Sequence, residues 1–168
     1  MKKVLTMMAA ALVLFTSACK KEDSAKEETT TSGTGTNTYT LGGTTYTVVY
    51  SGVTQTNGKY NYIFADRTPA AGMFNFLSVS FKTAPTSGTY QLISLADNAP
   101  ISAANQCQIG ASNNTTLGYG YIGTGAVNID VVVTGGKIKI TIPEISVIES
   151  ATSGSTATVK LSGTVKDI

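Results

Sequence analysis

From Ala126 to Pro143 the chain reads AVNIDVVVTGGKIKITIP, two alternating apolar and polar runs joined by a glycine pair. A two-residue loop at Gly135-Gly136 sets Val133 opposite Ile138, Val131 opposite Ile140 and Ile129 opposite Ile142 on one face. Asp130, Lys137, Lys139 and Thr141 fall on the other face. The pattern therefore predicts an antiparallel hairpin with one buried face, and burial sets its register.

The same grammar recurs upstream. Gly42-Gly43 joins TYTL to TTYTVVYS and sets Tyr39 across from Tyr46, and Asn57-Gly58 is a third turn, before KYNYIFAD. Pairing around that third turn is less regular, because Tyr60, Tyr62 and Phe64 alternate with Asn61, Ile63 and Ala65. Both faces are then partly apolar, and a bulge near Gly52 accounts for it. Further strands are predicted at Phe74 to Phe81, Thr89 to Leu95 after the turn Pro85-Thr86-Ser87-Gly88, Gln106 to Ala111, Leu117 to Ile122 and Ala157 to Lys166. In the last, Ala157, Val159, Leu161 and Val165 share one face, and Thr158, Lys160, Ser162 and Thr164 the other. No stretch after residue 37 sustains a helical period. Residues 38–168 are read as a single all-β domain, an antiparallel β-sandwich of about 8–10 short strands. A closed β-barrel is the alternative.

The first 37 residues follow a different pattern. Lys2 and Lys3 precede an apolar run from Val4 to Phe15 and the small residues Thr16, Ser17 and Ala18, which is the three-part form of a secretory signal. As a helix, Val4 to Ala18 would span only about 22 Å, short of a hydrocarbon core of roughly 30 Å. Residues 1–18 are thus read as a removed export segment, with Cys19 at its end. From Lys20 to Asn37, KKEDSAKEETTTSGTGTN holds one apolar residue, Ala25, and cannot bury enough surface to offset its ordering entropy. It is read as a flexible linker with a root-mean-square span of roughly 25 Å.

Thr16-Ser17-Ala18-Cys19 resembles the bacterial lipoprotein signal, in its looser Bacteroidota form without the common Leu at the first of the four positions. The resemblance implies cleavage before Cys19 and linkage of its thiol to diacylglycerol, a role that needs the nucleophilicity of a thiolate. Soluble secretion is the alternative. Lys20-Lys21-Glu22-Asp23 is similar to the charged surface-export signal of that group, and Asp23-Ser24-Ala25 to its short O-glycosylation motif, with Ser24 as acceptor. Each also reads as ordinary linker chemistry. Gly42 to Thr47, Pro85 to Tyr90 and Leu161 to Val165 add a resemblance to β-rich Bacteroidota lipoproteins of uncharacterised activity. What the resemblance implies is a lipid-anchored protein of the bacterial outer membrane, displayed at the cell surface, and it transfers no catalytic residues.

Composition narrows the chemistry. Twelve Lys and Arg against ten Asp and Glu give a net charge of +2, and without Lys2 and Lys3 the balance is ten against ten. A neutral mature chain is not expected to be a nucleic-acid partner, which would need cations clustered on one face. The absence of His excludes Ser-His-Asp and Cys-His nucleophilic sites and imidazole metal ligation. Cys107, alone between Gln106 and Gln108, reads as an inert thiol. Asp66, Asp97, Asp130, Glu144, Glu149 and Asp167 are scattered singly, without the spacing of a calcium loop. A glycosidase-like pair would need tertiary proximity, for example of Asp66 with Glu144.

Leu117-Gly118-Tyr119-Gly120-Tyr121-Ile122 is the most suggestive stretch. In a strand, Tyr119 and Tyr121 share one face and the glycines leave the other bare. The tyrosines are candidate ligand-facing residues; equally, the glycines admit a bulky neighbour. A P-loop is excluded because its Lys, Ser/Thr and following helix are missing. The expectation is a lipid-anchored, non-enzymatic binding or interaction module, without cofactor or metal, for a glycan, peptide or protein ligand. An accessory subunit of an outer-membrane complex and a carboxylate-based hydrolase are the alternatives.

Overall fold

The computed structural model describes residues 37–95, 100–113, 118–123, 125–149 and 157–168. They form eleven strands: β1 Thr38–Leu41, β2 Thr44–Thr47, β3 Tyr50–Thr56, β4 Lys59–Ala65, β5 Asn75–Phe81, β6 Gly88–Leu92, β7 Gln106–Asn113, β8 Gly118–Gly120, β9 Val127–Thr134, β10 Lys137–Glu149 and β11 Thr158–Lys166. A single 3₁₀ turn, Pro69–Ala71, stands between β4 and β5. The domain is all-β, as the alternation predicts.

The glycine-paired hairpins form in the predicted register. Val133 faces Ile138 and Val131 faces Ile140 across β9 and β10, and Tyr39 faces Tyr46 across β1 and β2, their rings stacked 5.1 Å apart. The expected pair Ile129–Ile142 does not form. Pro143 lacks an N–H for the ladder, and β10 shifts register against β11 between Ile142 and Ile145. Ile129 pairs instead with Tyr90 of β6. The bulge expected near Gly52 is also absent, since β3 and β4 pair without interruption from Tyr50↔Ala65 to Thr56↔Lys59. The glycine there makes room for a ring: a Cβ on Gly52 would stand 2.8 Å from the Tyr50 hydroxyl oxygen.

The sheet closes, so the sandwich expectation gives way to the barrel alternative. Strands β10, β9, β6, β7 and β8 pair in a ring, all antiparallel except the β6–β7 contact. Two long strands make closure possible by changing partners along one edge. β10 pairs with β9 through Lys137 to Thr141 and with β8 at Ile148 and Glu149. β7 pairs with β6 at Gln106 and Cys107 and with β8 at Gly110 to Ser112. The register shift of β10 between Ile142 and Ile145 falls between these two pairings, and the three-residue β8 fills the gap. A sandwich would instead leave two separate sheets with open edges.

Three strands extend the sheet on each side, β11, β1 and β2 from β10 and β5, β4 and β3 from β7. Inward-facing residues of ring and wings share one core, in which Phe64, Leu77, Phe81, Ile109, Ile140 and Leu161 are fully buried. Each such side chain contributes about 1.5–3 kcal/mol on leaving water.

Candidate functional site

Tyr121 is 4% exposed within the core, and its hydroxyl donates to the Gly125 carbonyl at 3.3 Å. Tyr119 is half-buried against the same core, and its hydroxyl accepts from Asn113 Nδ2 at 3.2 Å. The ligand-facing reading of Tyr121 is therefore corrected: the ring is packed. The opposite face is covered as well. Gly120 pairs with Gly110 across β8 and β7, and a Cβ on Gly120 would stand 2.8 Å from Leu95 Cδ2. Leu95 lies in that slot, tied down by its N–H donating to the Tyr121 carbonyl at 2.7 Å.

The carboxylates take separate partners. Asp66 Oδ1 accepts from the Asn75 N–H at 3.0 Å and lies 3.4 Å from Arg67 Nε, while Oδ2 accepts from the Asn75 side chain. Desolvation pushes this carboxyl up, but the two Asn75 hydrogen bonds and Arg67 together hold it below the usual carboxylate range. These bonds staple the ends of β4 and β5. Glu144, in β10, is in exposed contact with Lys160 Nζ at 3.4 Å, Asp130 accepts from Thr89 Oγ1 at 3.2 Å, and Asp167 accepts from the Ile138 N–H at 3.1 Å. Asp97 lies outside the described residues, as do Cys19 and Ser24.

Cys107 is fully buried, its thiol directed at the Gln91 carbonyl at 3.8 Å, and burial pushes its pKa up to about 12. Such a thiol is a packing group and a poor nucleophile. A shallow depression of about 250 Å³ lies beside the turn at Thr86 to Tyr90. Its polar groups serve the turn itself, with the Tyr90 hydroxyl accepting from the Thr86 N–H and donating to the Thr86 carbonyl.

Sequence reasoning missed the outer face of β9, β10, β11, β1 and β2. The ladders place Thr141 beside Thr164, Thr164 beside Thr38 and Thr38 beside Thr47, one threonine on each of four neighbouring strands. A second row runs Ser162, Thr40, Thr45, and the Thr40 and Thr45 hydroxyl oxygens are 2.9 Å apart. At one end of these rows Lys139 stands directly opposite Lys166, with Lys137 two residues along the same strand and Lys160 at the other end of β11. The Asn37 side chain clamps Lys166, accepting from its N–H at 2.9 Å and donating to its carbonyl at 3.2 Å. With strands about 4.8 Å apart, the four-threonine row spans about 14 Å.

Comparison with known families, curated proteins and solved structures yields no match.

The face is therefore read on its own chemistry. It offers hydroxyls that both donate and accept, together with exposed ammonium groups. That arrangement suits reversible contact with a polar surface. The signal for it was present in the sequence as three alternating hydroxyl motifs, Thr38-Tyr39-Thr40, Thr45-Tyr46-Thr47 and Ser162-Gly163-Thr164, but their adjacency depends on pairing opposite ends of the chain.

Proposed function

We propose that this chain is a lipid-anchored protein of the bacterial cell envelope whose β-domain is a non-enzymatic binding module. Cys19 carries the anchor, residues 20–37 tether the domain, and the outer membrane is the compartment that the Bacteroidota-like signal implies. The observation that carries the binding reading is the outer face of β9, β10, β11, β1 and β2, where hydroxyl rows lie beside Lys137, Lys139 and Lys166, which enter no ion pair among the described residues. A diacylated cysteine supplies durable attachment, since each buried methylene adds about 0.8 kcal/mol.

Two measurements test this. Mass spectrometry of the mature protein is expected to find diacylglycerol on an amino-terminal Cys19, and an unmodified terminus elsewhere overturns the anchor. Detergent-solubilised protein screened on glycan and peptide arrays is expected to retain a ligand and leave it intact; release of a cleaved product overturns the non-enzymatic reading.

A second reading, an accessory subunit of an outer-membrane complex, is favoured by β3. This seven-residue strand, YSGVTQT, is a sheet edge without charge or proline, and Val53 within it and Val49 just before it are about half exposed. Migration of the solubilised protein as a lone monomer counts against that reading.

A further inference from the structure

We infer that the outer face of β9, β10, β11, β1 and β2 is a docking surface for an anionic polysaccharide, an inference that rests on the binding-module reading and names its ligand class. Charge comes first. Lys139 and Lys166 are cross-strand partners, and like charges placed directly opposite oppose pairing unless an anion lies between or over them. Lys137 stands on the same face of β10. Among the described residues, Lys137, Lys139 and Lys166 enter no ion pair, and Lys160 pairs with Glu144 and donates to the Ser146 hydroxyl. Of the neighbouring carboxylates, Asp130 is turned to Thr89 and Asp167 is taken up by the Ile138 N–H. A chain of net charge +2 thus gathers at one end of one sheet face three lysines that enter no ion pair among the described residues.

The rest of the face selects among anions. Two hydroxyl rows adjoin the lysines, and hydroxyls pair with the hydroxyls of a sugar polymer as donors and acceptors at once. A nucleic-acid single strand would want aromatic platforms for its bases, whereas Tyr39 and Tyr46 point to the opposite side of β1 and β2 and stack on each other. A membrane surface would want exposed apolar side chains beside the cations. Among the described residues, the strands of this face carry one exposed large hydrophobic side chain, Val132. The polymer contacts the lysines through its carboxylate or sulfate groups and the threonine rows through its ring hydroxyls.

The test is affinity electrophoresis of detergent-solubilised full-length protein in gels containing polygalacturonate, neutral dextran or duplex DNA, at 50 mM and 500 mM salt. Vesicle binding is compared between phosphatidylglycerol and phosphatidylcholine, so that the lipid anchor cancels. Polygalacturonate is expected to retard the protein at low salt, and high salt to abolish the effect. The Lys137→Gln, Lys139→Gln, Lys166→Gln triple variant is expected to bind at least tenfold more weakly, and a Lys59→Gln, Lys82→Gln control within twofold of the parent. Retardation unchanged in the triple variant overturns this site while leaving the binding-module reading in place. Equal retardation by dextran, retardation by DNA alone, or a phosphatidylglycerol preference without polysaccharide binding overturns the ligand class. Failure to bind any probe overturns the inference, and the binding-module reading falls with it only if the glycan and peptide arrays are also empty.

Discussion

The Cα of Tyr39 lies 2.7 Å from the point where a Cβ on Gly163 would stand, and the Thr38 carbonyl oxygen lies 2.5 Å from it. Gly163 sits in β11 between Tyr39 of β1 and Ile142 of β10, so its missing side chain lets β1 dock against the ring. Both obstructing atoms belong to the backbone and cannot rotate aside. Gly163→Ala is expected to cost about 3 kcal/mol or more, read by urea denaturation followed by circular dichroism. A loss under about 1 kcal/mol would show that β1 can shift without penalty.

The slot at Gly120 behaves differently, because a side chain fills it. Gly120→Ala drives a methyl into Leu95 and is expected to cost about 1–2 kcal/mol. In a Leu95→Ala background the same substitution should cost less, with a coupling of about 1 kcal/mol between the two sites. Equal costs in both backgrounds would mean that Leu95 does not occupy the slot in solution.

Alkaline stability follows from the buried thiol and phenols. Desolvation raises Cys107 from its ordinary 9.0 to about 12, and burial, with Asp66 and Tyr46, raises Tyr39. Above pH 9 the unfolded chain releases the Cys107 proton while the folded chain keeps it, so the contribution is complete below pH 9 and is lost up to about 12. Stability should fall through that window, with a shallower slope in Cys107→Ala. In the native state Cys107 should also resist iodoacetamide at pH 8 and react on unfolding; rapid native alkylation would contradict its burial.

Acid acts through Asp66. Its folded pKa lies below the ordinary 3.8, so its contribution is complete above that value and disappears as pH falls through the folded one. Asp66→Ala leaves the backbone and side-chain donors of buried Asn75 without their acceptor, an expected loss of about 1–3 kcal/mol at pH 7. The exposed Arg67 contributes little to that figure. A pH 7 stability equal to the parent's would show that water replaces the carboxylate.

Local pattern by itself determined the strands and hairpins. Glycine pairs at 42–43 and 135–136 dictate tight turns, and period-two alternation then leaves one register that buries the apolar face, as the Tyr39–Tyr46 and Val131–Ile140 pairs show. Short-range chemistry also marked the change at Cys19 and the want of imidazole. Only the tertiary structure decided the closure of the sheet, the burial of Tyr121 and the lysine and threonine face. Closure depends on β8, three residues that join the nearby β7 at Gly110 on one side to the distant β10 at Ile148 on the other. Tyr121 could not be placed from its own alternation, because which side of β8 meets the core is set by the strands it joins. The outer face arises where β1 meets β11, so that Thr38 and Thr164 become neighbours: each strand's polar side is legible alone, but their adjacency comes from long-range pairing, which no local period encodes.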